Sequence, residues 1–235
     1  FELFLISARR KQEVDSISSH DPDSILEIGC GIDPNYKYYD DFSQYTAIEP
    51  STKFCETLNQ EMTGDEKKTN IEITEGYFEE CNADELARDQ YDYILLSSLL
   101  HEVPNPSDIL DHVHTFCGED TIVHVNVPNM RSFHRLLAKE ADLIEDVFER
   151  SEQEERFGRN KQFDKDRLFS FVQDHGYKVN TFETYFVKPF SNSQLKAMLE
   201  QGIVEKKVLQ SLSKMTKYMP ECGAEMFVEM TSEFD

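Results

Sequence analysis

Short strand-like runs of apolar residues alternate with longer helix-like segments along the first half of the chain. Strands are predicted near residues 24–29, 45–49, 70–75, 92–97 and 121–127. An opening helix is predicted over 2–19, and further helices fit between the strands at about 51–62, 83–88 and 106–117. This alternation favours an α/β fold, in which helices cover both faces of a parallel sheet.

The alternation lapses after Pro128. Residues 131–163 predict one or two helices, and a helix and a strand resume at 164–175 and 178–187. Pro189 ends that strand because proline cannot continue the hydrogen-bond ladder. A helical segment at 191–217 then precedes a last strand at 224–231. We predict a single domain, 1–235, with a ligand-binding core at 20–130 and helical lid or cap insertions at 129–163 and 189–220.

Composition narrows the class of protein. The formal net charge of −22 argues against a nucleic-acid substrate, because phosphates would be repelled. The five cysteines form no CxxC pair, so no metal site is predicted and a reduced, cytoplasmic setting is the default. No apolar run reaches the length of about 18 residues that a membrane span needs. Many basic residues nevertheless follow the fifth strand within a short stretch of sequence. A small anionic substrate therefore remains compatible with the composition.

The most informative motif is the strand 25–28, which runs into the turn Gly29-Cys30-Gly31. A second strand ends at Glu49, and this spacing is typical of a nucleoside site, where glycines admit the ligand and the acid binds ribose. A dinucleotide site would carry a third glycine where this chain has Pro34, and the lysine of a P-loop is missing. A nucleoside cofactor without pyrophosphate therefore fits better.

These motifs resemble the class I S-adenosylmethionine-dependent methyltransferases of the small-molecule type. Residues 27–31 match the first motif of that family, Glu49 its ribose-binding acid, 75–80 its adenine loop, and 91–103 its fourth strand and active-site loop. The resemblance implies a doubly wound, mostly parallel seven-stranded sheet with an antiparallel last strand. The cofactor implied is S-adenosylmethionine, with contacts from Glu27, Gly29, Cys30, Gly31, Glu49, Pro50, Ser51, Gly76, Tyr77, Phe78 and Ser97.

Candidate chemistry for the acceptor lies beyond the fourth strand. His101 follows that strand at the edge where ligands bind, and its imidazole could remove a proton from an alcohol or an amine. An anionic acceptor would instead need cationic anchors. We favour a small polar acceptor with an anionic group and leave the neutral alcohol or amine open. The predicted substrate-binding residues are Tyr36, Arg131, His134, Arg135, Tyr185 and Lys188.

Two other classes of function remain open at this point. A nicotinamide-dependent oxidoreductase would share the first strand and the glycine turn, although Pro34 counts against it. A binding protein without catalytic activity could retain the whole fold. No nucleic-acid or membrane partner is expected, and a homodimer is compatible with the sequence.

Overall fold

The structure is a computed structural model that describes residues 2–63, 69–82, 86, 90–149 and 161–233. Apart from Leu86, the helix predicted at 83–88 lies outside the described residues. Residues 150–160 of the predicted insertion at 129–163 also lie outside the described residues.

Among the described residues, seven strands form one sheet in the order β3-β2-β1-β4-β5-β7-β6. Strands β1 to β5 run parallel to one another, and β7 runs antiparallel to both β5 and β6. This arrangement confirms the predicted fold class. The strands are β1 Ser24–Ile28, β2 Gln44–Glu49, β3 Ile71–Glu75, β4 Tyr91–Ser97, β5 Cys117–Pro128, β6 Tyr177–Tyr185 and β7 Glu225–Ser232.

Helices pack on both faces of the sheet. Ile17 of α1 and Leu58 of α2 are buried in one apolar cluster, while Ile109 of α3 and Leu168 of α5 are buried in the cluster on the other face. The α-helices are α1 Glu2–His20, α2 Thr52–Met62, α3 Pro106–Val113, α4 Phe133–Glu140, α5 Lys165–Asp174, α6 Asn192–Glu200 and α7 Lys206–Leu212. No helix in the described ranges has the length and apolar character needed to cross a membrane.

Several predicted boundaries were wrong. The helix expected over 106–117 is an α-helix to Val113 and continues as a 3-10 helix over His114–Phe116, and β5 begins at Cys117, which pairs with Tyr91 of β4. Tertiary strand pairing therefore overrides the helical pattern only at Cys117. The segment expected as helix over 191–217 consists of two helices, because Gly202 adopts a left-handed φ of +69° between them.

Candidate active site

The carboxyl ends of the central parallel strands meet at one edge, where the glycine turn leaves β1. Gly29 donates a hydrogen bond of 2.8 Å from its amide to the Ile48 carbonyl of β2. Gly29 and Gly31 have φ values of +71° and +61°, which residues with a Cβ rarely adopt. A Cβ at Gly29 would lie 3.0 Å from Leu99, whereas no atom lies within 4 Å of the corresponding position at Gly31. The turn thus leaves an open approach to the backbone at Gly31.

Glu49 ends β2 beside this turn and is only 6% exposed. One carboxylate oxygen accepts a 2.9 Å hydrogen bond from the Gly31 amide, and the other accepts one of 2.9 Å from the Ser51 amide. Ser51 in turn caps α2, because its hydroxyl accepts from the Phe54 amide. Each carboxylate oxygen retains a second lone pair. Glu49 therefore holds the turn in place and can still accept two hydrogen bonds from a diol.

An apolar cavity of about 100 Å³ opens next to Glu49, between the ends of β1 and β3 and the loop after β4. Phe78 is 3% exposed and packs at 5.6 Å from the ring of Phe116, whereas Tyr77 is 58% exposed at the rim. The cavity suits a flat, mostly apolar base. Its lining includes Ile28, Gly29, Ile48, Pro50, Gly76, Tyr77, Phe78, Leu99, Val103 and Ile109.

Two further residues of the first motif are buried beneath the turn. The Glu27 carboxylate accepts hydrogen bonds from the Tyr45 hydroxyl and from the backbone and side chain of Asn35, the last two at 2.9 Å each. Burial raises the pKa of Glu27 to about 7, against the effect of these donors and of Arg10. Burial also raises the pKa of Cys30 far above its usual range, so this thiol stays protonated.

A polar network continues along the same edge toward β6. Ser98, which follows β4, has a left-handed φ of +55°, and its hydroxyl lies 3.3 Å from the side-chain oxygen of Asn126 on β5. The amide nitrogen of Asn126 donates to the Tyr185 hydroxyl at the end of β6. Burial raises the pKa of Tyr185 well above its usual value, so the phenol is neutral. A non-glycine residue in the left-handed region is typical of a functional loop.

Basic side chains gather beyond Tyr185. Lys188 is 7% exposed, and its ammonium donates 2.6 Å to the side-chain oxygen of Asn192. Burial lowers its pKa to about 8, with Arg135 adding to the effect and Glu225 opposing it. Burial and the charges of Lys188 and Arg135 lower the pKa of His134 to about 3, so this imidazole is neutral. Among the described residues, no carboxylate forms a salt bridge with Lys188.

Three predicted residues lie apart from these groups. His101 is 4% exposed; one ring nitrogen lies 3.5 Å from Glu102, and Nδ1 has no hydrogen-bond partner among the described residues. Tyr36 is buried and packs edge-on against Tyr45 in the core cluster on the α1 face. The Arg131 side chain is exposed to solvent. The structure therefore groups Tyr185, His134, Arg135 and Lys188 and separates Tyr36 and Arg131 from them.

Comparison with known proteins identifies the family. A family model described as a methyltransferase domain matches residues 7–200, which is most of the chain. The chain belongs to this methyltransferase family. It is an S-adenosylmethionine-dependent enzyme of class I, as the order of its motifs predicted. No curated protein matches the sequence.

Solved structures resemble this methyltransferase in fold at low sequence identity. The plantazolicin methyltransferase BamL, crystallised with S-adenosylhomocysteine and a substrate analogue, is 14% identical with a TM-score of 0.58, over 97% of this chain and 86% of its own. The [4+2]-cyclase SpnF is 9% identical with a TM-score of 0.62, over 95% of this chain and 82% of its own. A putative sarcosine dimethylglycine methyltransferase from Galdieria sulphuraria is 10% identical with a TM-score of 0.61, over 95% and 83%. Because a cyclase shares this fold, the fold alone does not define the acceptor.

The site fits the cofactor of this methyltransferase. The turn at Gly31 leaves space for a ligand against the backbone, Glu49 offers lone pairs to a ribose diol, and the adjoining cavity is apolar. Several polar residues surround the predicted ones and were not predicted from the sequence. Of these, only Asn126 has a local signal, as a polar residue within the apolar run of β5. Asn35 lies in the loop that follows the glycine turn, whereas Arg9, Glu13 and Glu225 reach the site from distant elements.

Proposed function

We propose that this methyltransferase modifies a small polar acceptor that carries an anionic group, such as a carboxylate, a phosphate or an acidic sugar. The observation that carries this proposal is the buried ammonium of Lys188, with the partly exposed His134 and Arg135 close by. A desolvated ammonium whose hydrogen-bond partner is a neutral amide is destabilised, and a bound anion would relieve that cost.

In this proposal the cofactor lies across the ends of β1, β2 and β3. Its methionine part passes along Gly29 and Gly31, its ribose hydroxyls donate to Glu49, and its base occupies the apolar cavity beside Phe78. The bound cofactor supplies a methyl group that its sulfonium has already activated for an in-line displacement. The protein then has to orient the acceptor and exclude water from the site.

The acceptor would lie between the end of β4 and the basic cluster. Glu225 connects the two regions, because its carboxylate affects the pKa values of both Tyr185 and Lys188. The neutral Tyr185 hydroxyl and the Asn126 amide can hydrogen-bond a polar acceptor without neutralising its charge. We further propose that the described parts of the two predicted insertions, 129–149, 161–163 and 189–220, with α4, α6 and α7, form a cap over this acceptor region.

A panel assay tests the proposal. The wild-type enzyme is incubated with S-adenosylmethionine and matched anionic and neutral metabolites, and products are identified by the added mass of one CH₂ unit. We expect turnover of anionic acceptors, and we expect Lys188→Met to raise their KM by about 10–100-fold, the range for a lost hydrogen bond to a charged group. The exposed Lys178 of β6 gives a matched control, Lys178→Met, which should behave as wild type. An unchanged KM of Lys188→Met for anionic acceptors, or a preference of the wild type for neutral ones, would overturn the proposal.

A second candidate is methylation of a neutral alcohol or amine with His101 as the base. The Nδ1 of this buried imidazole has no hydrogen-bond partner within the described ranges, which favours this candidate because a proton acceptor must be available for the substrate. His101→Ala should then reduce kcat by about 100-fold or more while the affinity for S-adenosylhomocysteine stays the same. Near-normal turnover of the variant would leave the anionic acceptor as the better proposal.

A further inference from the structure

A second cavity lies between α1 and the strands β6 and β7, apart from the apolar cavity beside Glu49. Its volume is about 490 Å³, which is large enough for a small metabolite. Tyr185 lines this cavity from the end of β6, and its hydroxyl accepts a hydrogen bond from Asn126 in the proposed acceptor region. The cavity therefore extends from the acceptor region along α1.

An ion pair between α1 and β7 lies at the Tyr185 end of this cavity. The guanidinium of Arg9 lies 3.4 Å from one carboxylate oxygen of Glu225. Glu225 is the residue opposite Tyr185 in the antiparallel pair of β6 and β7. Arg9 is flanked on its helix by Ala8 and Gln12, which both line the cavity. Both charged residues therefore adjoin the lining of the cavity.

Three buried polar atoms in this region have no hydrogen-bond partner among the described residues. They are one carboxylate oxygen of Glu225, the side-chain oxygen of Gln12 and the Nε of Arg9. Glu225 itself is only 7% exposed. Buried polar atoms are nearly always paired, and an unpaired atom of a charged group is the most costly, so we expect a ligand to supply these partners. Such a ligand donates to two acceptors and accepts from one donor.

The charges around the cavity favour a donor that is positively charged. The lining includes the carboxylates of Asp15, Glu183 and Glu229 and the ammonium of Lys11, which forms an ion pair with Asp15. Burial by itself would raise the pKa of Glu229, but hydrogen bonds to its carboxylate lower that pKa to about 2. Two carboxylates therefore have no basic partner among the described lining residues, and a bound ammonium would balance part of this charge.

We propose that the acceptor carries an ammonium group beside its anionic group, as an amino acid does, and that Glu225 and Gln12 accept hydrogen bonds from this ammonium. The anionic group then lies between Lys188 and Arg9, whose Nε supplies the remaining donor. Glu225 is close enough to Lys188 to raise its pKa, as expected if the two bind opposite charges of one zwitterion. The rest of the acceptor extends into the cavity. The inference rests on the proposed anionic acceptor and deepens it, because it makes Glu225 and Gln12 the residues that select an amine.

Calorimetric titration of the protein saturated with S-adenosylhomocysteine tests this assignment without any turnover. The ligands form matched sets of a common L-amino acid, the acid with hydrogen in place of its α-amino group, and the amine with hydrogen in place of its carboxylate. We expect at least one amino acid to bind about 10-fold or more tightly than both of its analogues, because only the amino acid satisfies both charges.

Glu225→Gln preserves the shape of the side chain and removes its charge. It should weaken that amino acid by about 10–100-fold, as expected for a hydrogen bond between charged groups, and change the affinity for the deaminated acid by less than about threefold. Glu72→Gln, at an exposed position on β3, serves as the control. Should Glu225→Gln fail to fold, Gln12→Met removes the uncharged acceptor and should weaken the amino acid about 3–10-fold. Equal losses for the amino acid and the deaminated acid in either variant would contradict the assignment.

The outcomes separate this assignment from the proposal on which it rests. Equal binding of amino acids and deaminated acids, with both weakened by Lys188→Met, would overturn the ammonium and leave the anionic acceptor in place. Equal binding of amino acids and the amines without a carboxylate would refute the anionic acceptor itself. Binding of no amino acid would overturn this inference alone, because the metabolite panel described above still tests the anionic acceptor.

Discussion

The ionisation of Glu27 should make the stability of the protein depend on pH. Its pKa is about 7 in the folded protein against 4.5 for the ordinary value, because burial penalises the charged form. Between these two values the folded chain holds a proton that the unfolded chain has released. Rising pH therefore favours unfolding. The stability that Glu27 contributes is complete below pH 4.5 and is lost as the pH rises through about 7.

The size of the effect follows from the difference between the two pKa values. At about 1.4 kcal/mol for each pH unit, the interval from 4.5 to about 7 corresponds to about 3 kcal/mol. A loss of that size is a substantial fraction of the stability of a single domain.

Urea denaturation at several pH values between about 4 and 8, at constant ionic strength, measures this dependence. Glu27→Gln removes the titrating group, so the free energy of unfolding of the wild type should fall by about 3 kcal/mol more than that of the variant over this interval. The comparison cancels any constant cost of the substitution itself. Glu72→Gln, at an exposed position on β3, controls for the loss of a glutamate. Parallel pH profiles for wild type and Glu27→Gln would refute the reasoning.

Three further substitutions test the geometry of the site. Gly29→Ala should destabilise the protein by about 2 kcal/mol in thermal or urea melts, because of its positive φ and the contact with Leu99, and a neutral result would contradict the turn geometry. Glu49→Ala should weaken 5′-methylthioadenosine and S-adenosylhomocysteine alike, by about 100-fold in calorimetry, since both ligands carry the ribose; unchanged affinity would remove Glu49 from the site. Gly223→Ala should cost about 3 kcal/mol or more in urea melts, because its Cβ would lie 2.5 Å from the backbone nitrogen of Tyr185; wild-type stability would refute that packing.

Local features of the sequence were enough to predict the cofactor half of the fold. Buried parallel strands appear as continuous apolar runs, and the glycine turn needs φ values that only glycine adopts readily, so both leave a signal within a few residues. Glu49 could be predicted for the same reason, since its distance from the turn is set by one strand–turn–strand unit. The family match and the sheet order agree with these predictions. The exact ends of β5 and of the helices at 192–212 could not be predicted, because strand pairing and a single left-handed glycine decide them.

The chain by itself therefore determined the fold class, the family and the cofactor, because these depend on short-range patterns. Only the tertiary structure decided which polar residues share a site. Arg9 lies 3.4 Å from Glu225 although 216 positions separate them, and Ser97 bonds to Glu13 across 84 positions. No local pattern specifies such pairs, since each residue alone is an ordinary polar residue of its helix or strand. Folding brings these polar residues together in the interior. Because buried polar groups and charges are normally paired, a buried group without a partner in the protein indicates what the enzyme binds.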